Sequence, residues 1–322
     1  MSTASLVPVF TRTILPVLAV AAVGYVLGRV KPVDVGPLNT VTLYVLVPAL
    51  IFHSLVTSPV DGATTARLAL AVVAFTGSMF LVGEAVARAV GERGATRAAL
   101  VMAGMFPNVG NFGIPVSTFA FGAVGRSAAI LYTAVQNLLL YTLGIYVVSR
   151  AGGDPSVRYA VGRALRLPVL YAVVAAGAAV ALGVVPPADG TFMRTVEMVG
   201  DASIPLFLLV LGVQFANTDA DLGGTLTRVA PAVGLKLLVA PAVGLLVVGL
   251  VGLGAGAVAD TFVVETAAPV AIIPLVLLLE FGEERGEGLS GPDYLSTAIL
   301  VTMLGSVPVV TVLLVLLKGG VP

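Results

Sequence analysis

Phe106-Pro107-Asn108-Val109-Gly110-Asn111-Phe112-Gly113-Ile114-Pro115 interrupts an apolar run, with Ala98 to Gly104 before it and Val116 to Gly122 after it. Pro107 and Pro115 each remove a backbone donor and push the preceding residue out of helical geometry. Gly110 and Gly113 permit the turns that follow. A break of this kind is tolerated in a bilayer only where protein or a water-filled cavity satisfies the freed backbone groups. The stretch therefore predicts a broken membrane helix that lines a cavity.

The surrounding composition fits that reading. The chain is 58% hydrophobic and 11% charged, with a mean hydropathy of +1.07; soluble proteins carry about 25% charged residues. The expected fold is an all-α polytopic membrane protein. A net charge of zero gives no reason to expect a nucleic-acid partner. There are no cysteines and one histidine, His53, which excludes disulfides, thiolate sites and histidine-rich metal sites. The N-terminus has no basic segment before its apolar run, so it is expected to be a retained first span. No GxxxxGK[ST], HExxH or GxSxG motif is present, so ATP is not the expected energy source and an enzyme is not expected. No cofactor is expected either, and no arginine-rich voltage-sensing segment occurs.

A helix needs about 20 apolar residues to span a bilayer. Ten candidates satisfy this: 6–29, 36–57, 66–88, 97–122, 127–149, 166–185, 192–216, 227–252, 257–280 and 294–317. With the N-terminus outside, the inner connections carry Arg29, Lys31, Arg88, Arg93, Arg97, Arg150, Arg158, Arg163, Arg166, Arg228 and Arg285. The outer ones carry Arg67, Arg126, Arg194 and Lys318. The positive-inside rule then places both termini on the extracytoplasmic face of the plasma membrane.

The halves 1–150 and 151–322 repeat. Leu15-Pro16-Val17-Leu18 in the first span matches Leu167-Pro168-Val169-Leu170 in the sixth. Pro48 in the second matches Pro205 in the seventh. The broken fourth span matches the ninth, interrupted at Ala268-Pro269-Val270-Ala271-Ile272-Ile273-Pro274. Because each unit has an odd number of spans, five, the second copy enters from the opposite side. Paired interrupted helices in an inverted repeat point to a transporter binding site.

Within the first break, the Asn108 and Asn111 amides can serve a carboxylate or satisfy the broken backbone. The half-helix starting near Gly113-Ile114-Pro115, and a second starting near Pro274, direct N-terminal N–H groups into the breaks and favour an anion. Lys236 lies at mid-depth, where an unpaired charge costs about 2.5–3.5 kcal/mol; Asp201 and Glu265 are its expected partners. That group reads equally as a titrating or substrate-binding charge pair and as a static one. Glu84, Glu197 and Glu280 read as interface residues, and Glu283 to Glu287 as a solvated loop. Gln136 and Asn137 read chiefly as interhelical hydrogen-bonding groups. Gly24 and Gly28 form a GxxxG packing pair.

Three groups of residues resemble the auxin efflux carrier family, which includes the plant PIN proteins and many prokaryotic relatives. They are Asn108 to Pro115, Leu43-Tyr44-Val45-Leu46-Val47-Pro48-Ala49-Leu50-Ile51-Phe52-His53, and, in the second half, Ile204 to Gly212, Lys236 to Pro241 and Glu265 to Pro269. The resemblance implies ten transmembrane helices in two inverted five-helix repeats, with broken helices four and nine crossing. It implies a substrate beside the crossing, and the reading of the two breaks makes Asn108, Gly110, Asn111, Gly113, Pro115, Pro269 and Pro274 the residues expected to bind it. It also implies a scaffold of spans one, two, six and seven, against which the other spans move. Position 265 is glutamate where the resemblance implies glutamine, which points toward ion coupling at Glu265, Lys236 and Asp201. The expected function is a secondary, elevator-type carrier exporting a small organic anion. A sodium- or proton-coupled symporter, a channel and a non-transporting sensor are the alternatives. The expected partners are the anion, the lipid bilayer and a second copy of the chain.

Overall fold

The computed structural model describes residues 6–150, 168–217, 222–281 and 290–319. Arg158, Arg163, Arg166, Leu167, Arg285, the Glu283 to Glu287 segment and the Glu280 side chain lie outside what it describes. The described residues are helical, with one isolated bridge and no strand. We number the helices α1 Val7–Val30, α2 Val35–Val56, α3 Gly62–Ala89, α4 Gly94–Met105, α5 Val109–Ser149, α6 Pro168–Ala181, α7 Thr191–Ala216, α8 Leu226–Val251, α9 Ala257–Thr266, α10 Ile273–Phe281 and α11 Gly291–Lys318.

Seven of these, α1, α2, α3, α5, α7, α8 and α11, are long and apolar enough to cross a membrane. Three of the other four, α4, α9 and α10, border the two breaks. The prolines and glycines of 106–115 separate α4 from α5, and the two prolines of 268–274 separate α9 from α10. At 41 residues α5 exceeds one bilayer crossing. It contains a sharp bend at Gly122, whose φ of 62° and ψ of −142° lie outside helical geometry.

Proline also shapes the long helices from within. Wide π-type turns occur at Phe10–Ile14, Thr42–Leu46, Val109–Gly113, Leu140–Gly144 and Leu235–Val239. All but the one at Leu140–Gly144 end two residues before a proline: Pro16, Pro48, Pro115 and Pro241. A proline ring clashes with the carbonyl four residues back, and widening the preceding turn relieves the clash without ending the helix.

α1, α2, α6 and α7 pack mainly on one another, α3, α4 and α8 to α11 form a second group, and α5 touches both. α1 meets α7 at glycines. A Cβ at Gly24 would overlap the Leu209 carbonyl, one at Gly212 would overlap the Ala21 carbonyl, and one at Gly28 would come within 2.9 Å of the Ala216 side chain. Close backbone approach of this kind replaces hydrophobic burial as the source of helix association in lipid. The second group encloses the largest apolar cluster, with Phe75, Met79, Leu100, Tyr132, Phe262 and Tyr294 at its centre. Phe75 meets Phe262 nearly edge-on, ring centroids 6.1 Å apart.

Candidate functional site

The two breaks touch through main chain. The Asn108 N–H donates to the Pro269 carbonyl at 2.7 Å, and the Ala271 N–H donates to the Phe106 carbonyl at 2.9 Å. The pair forms an antiparallel bridge between Pro107 and Val270. Side chains satisfy the groups that remain. Gln136 Nε2 donates to the Pro107 carbonyl at 2.9 Å, the Val270 N–H donates to Thr302 Oγ1 at 3.1 Å, and Lys236 Nζ donates to the Thr266 carbonyl at 3.1 Å. Each break thus exchanges helical hydrogen bonds for tertiary ones, as a dry bilayer interior requires.

A cavity of about 310 Å³ lies against the first break. Pro107 to Asn111 and Ile114 form one wall. α5 adds Ile130, Thr133, Gln136, Asn137 and Tyr141; α2 adds Asn39, Thr42, Leu43, Val47, Leu50 and Ile51; and Ala271, Ile272 and Ile273 come from the second break. No lining side chain carries a formal charge. The polar atoms are amides, hydroxyls and the N-terminal end of α5. Asn108 divides its work. Its Oδ1 accepts from the Asn111 N–H at 3.3 Å and caps α5, while its buried Nδ2 has no partner. A buried amide donor without a partner, at a cavity wall, is a group awaiting an acceptor.

From the crossing the cavity extends toward three helix ends. Asn39 and Thr42 near the start of α2, Tyr141 near the end of α5 and Gln214 near the end of α7 line it. Arg29 and Lys31 precede the start of α2, and Arg150 closes α5, where it meets Glu84 together with Arg88 and Arg97. On the far side the contacts are closed. Arg126 pairs with Asp201, Ser127 Oγ donates to the Ser54 carbonyl at 3.2 Å, and a Cβ at Gly200 would come within 2.7 Å of the Leu50 backbone.

The structure separates the expected site residues. Asn108, Gly110 and Asn111 line the cavity; Gly113, Pro115, Pro269 and Pro274 do not. The half-helix begins at Val109, capped by Asn108, and not near Gly113. The wide turn at Val109–Gly113 lets the helix start before Pro115, so the N-terminal dipole end sits at 109–111. Gly113 instead makes room for Glu265, whose carboxylate occupies the space a Cβ would need. Pro269 belongs to the bridge, and Pro274 lies in the first turn of α10.

Asp201 is corrected as a partner of Lys236. Its side chain is 49% exposed and pairs with Arg126. The helix is interrupted at Ala202, which caps both the segment ending at Asp201 and the one starting at Ser203. Lys236 is fully buried and its ammonium is served by the Thr266 carbonyl, an acceptor freed by the second break. Glu265 is also fully buried. Its Oε1 accepts from Ser117 Oγ at 2.6 Å, its Oε2 has no partner, and no ion pair joins it to Lys236.

Sequence reasoning missed Ser117 and Thr302, hydroxyls in apolar helices that leave no pattern. It also missed the lining residues Thr133 and Tyr141. Their spacing with Asn137, four residues in each case, marks one helix face and was a readable signal.

Comparison with known proteins places the chain among membrane transporters. A family model described as "Membrane transport protein" matches residues 9–314. A protein of Rhizobium meliloti (strain 1021) named "Putative malonate transporter" is 28% identical over 326 residues, 96% of this chain and 96% of its own length. An "Uncharacterized transporter" of Methanothermobacter thermautotrophicus is 28% identical over 281 residues, covering 84% of this chain and 88% of its own length. With the family match spanning both broken helices and the cavity between them, this chain belongs to the membrane transport protein family, the auxin efflux carriers, and is a transporter and not an enzyme.

Proposed function

We propose that this protein is a secondary carrier of a small carboxylate, with a dicarboxylate of malonate size as the leading substrate. One observation carries the reading: the unpartnered Asn108 amide and the N-terminus of α5 face an uncharged cavity at the crossing of two broken helices. Helix dipole ends and neutral donors favour an anion without a permanent countercharge. At about 310 Å³ the cavity is at the small end of ligand sites. The name of the Rhizobium relative supports malonate in particular.

In this reading the chain has ten spans, arranged as inverted repeats 1–150 and 151–322. α1, α2, α6 and α7 form the scaffold, and the remaining helices move across it with the crossing as one body. The separation of the packing into two groups supports the division, and the glycine contacts between α1 and α7 give the scaffold a rigid seam. In this reading the cavity is entered past Asn39, Tyr141 and Gln214, beside the helix ends at Arg29, Lys31 and Arg150, which the positive-inside rule assigns to the cytoplasm of a plasma-membrane protein with both termini outside. Export is then favoured. One negative charge leaving an inside-negative cell gains about 2.3 kcal/mol per 100 mV, or a concentration ratio of roughly fifty.

Proteoliposomes loaded with malonate test the reading directly. A carrier accelerates entry of labelled malonate when unlabelled malonate waits on the far side. Absence of exchange with malonate and with other small carboxylates would overturn it. Orientation is tested by Thr57→Cys, which should react with an impermeant maleimide on intact cells, and Pro32→Cys, which should not. The opposite pattern would invert the topology.

A second reading, coupling to protons, is favoured by one observation: Glu265 is buried with a carboxylate oxygen lacking a partner. Under that reading Glu265→Gln should flatten the pH dependence of transport and leave substrate affinity largely intact. An unchanged pH profile would remove Glu265 from the coupling mechanism.

A further inference from the structure

Glu84, expected to be an interface residue near a helix end, is buried, with 8% of its side chain exposed, and three arginines converge on it. Glu84 Oε2 accepts from Arg97 and, at 3.2 Å, from Arg88 Nη2, while Arg150 Nη1 stands 3.6 Å from Oε1. The arginines come from the end of α3, the first turn of α4 and the end of α5. Beside them is a second cavity of about 90 Å³, lined by Glu84, Gly94, Arg97, Ala98, Val147 and Arg150. It shares no residue with the cavity at the crossing.

The donors in this cluster outnumber its acceptors. A guanidinium stays charged and offers five N–H donors. Among the described residues one carboxylate faces three of them, which leaves two positive charges unbalanced and most donors unused. The cavity wall adds a further source. Gly94 opens α4, and Arg93 at the N-cap supplies no side-chain acceptor for the first-turn N–H groups. Arg150 is braced from behind, its guanidinium 5.7 Å over the Tyr146 ring. Glu84 thus gathers the arginines, and the cavity beside them has surplus positive charge and free donors.

We propose that this cluster is a second anion site, which takes a phosphate group. A phosphate monoester carries about −1.5 to −2 charge at pH 7 and offers three acceptor oxygens, which matches the surplus. Arginine forks bind phosphate in bidentate fashion. A water takes up about 30 Å³ in the liquid, so the space admits one tetrahedral oxyanion and little more. Its occupant ties together the ends of α3, α4 and α5, all from the group of helices that bears the crossing. The phosphate comes either from an anionic phospholipid headgroup or from solution.

The test uses the purified full-length protein. Thermal unfolding is followed during titration with inorganic phosphate, at ionic strength held constant with sodium chloride. In parallel, native mass spectrometry counts phosphatidylglycerol and phosphatidylcholine retained from mixed vesicles. Saturable stabilisation by phosphate identifies a soluble occupant, and selective retention of phosphatidylglycerol identifies a lipid; either supports the site. Arg150→Gln should weaken the effect roughly tenfold or more, as loss of one charge-assisted bond requires, whereas Arg194→Gln should leave it unchanged. The site is overturned if wild type shows neither effect, or if Arg150→Gln matches wild type.

Discussion

The two breaks solve the same backbone problem in different ways. At 106–111 Gln136 and the backbone of the second break serve the freed groups, and the break's own asparagine, Asn108, caps the helix that follows while keeping one amide donor free at a cavity wall. At 267–272 no side chain of the break is polar. Thr302, Lys236 and the backbone of the first break supply the partners. In the proposed function the first break supplies the polar ligand surface, while the second acts as a fastening that adds only the apolar wall of Ala271, Ile272 and Ile273. Two interruptions at matching positions in a repeat need not share a role; what decides is whether polar groups remain uncommitted once the backbone has been satisfied.

The sharpest way to break this contrast is Asn108→Asp. The carboxylate still caps α5, but the free donor becomes an acceptor of like charge to the substrate. Carboxylate binding should fall by more than about a hundredfold with the protein still folded. Near-normal affinity in a stable Asn108→Asp protein would remove the first break from substrate recognition.

Asn111→Ala comes next. Asn111 faces the cavity without supporting the bridge, so its loss should weaken binding by about ten- to a hundredfold and leave protein yield unchanged. Isothermal titration with wild type alongside separates this from a folding defect.

Thr302→Val probes the fastening. It removes the acceptor of the buried Val270 N–H, which should cost about 1–3 kcal/mol of stability and lower the unfolding midpoint. Affinity measured below that midpoint should stay within about twofold of wild type, less than 0.5 kcal/mol. A large loss of affinity with intact stability would reverse the roles assigned to the two breaks.

Much of the fold was legible because proline and glycine act locally. Pro107, Gly110 and Pro115 announce one interruption and Pro269 and Pro274 the other, and the apolar run ending at Gly122 stops where the backbone bends. Side-chain partnerships were not legible in the same way. Asp201 and Lys236 lie at comparable depths along the sequence, yet depth says nothing about which way a side chain faces, and Asp201 faces Arg126. Pro115 reads as the first turn of a helix, but the wide turn before it moves the true start to Val109. Gly113 reads as a turn residue, and its actual task, clearing space for Glu265, depends on a residue 152 positions away (265 − 113).

The joint between the breaks is made of peptide groups alone: two hydrogen bonds, from Asn108 to Pro269 and from Ala271 to Phe106. Peptide groups are the same whichever residues carry them. Mutation can therefore exchange the side chains around the crossing, one at a time, without cutting the joint. A lineage built on this scaffold can retune what it carries while the mechanical connection is inherited intact. Such an arrangement separates innovation in substrate choice from the risk of losing the machine.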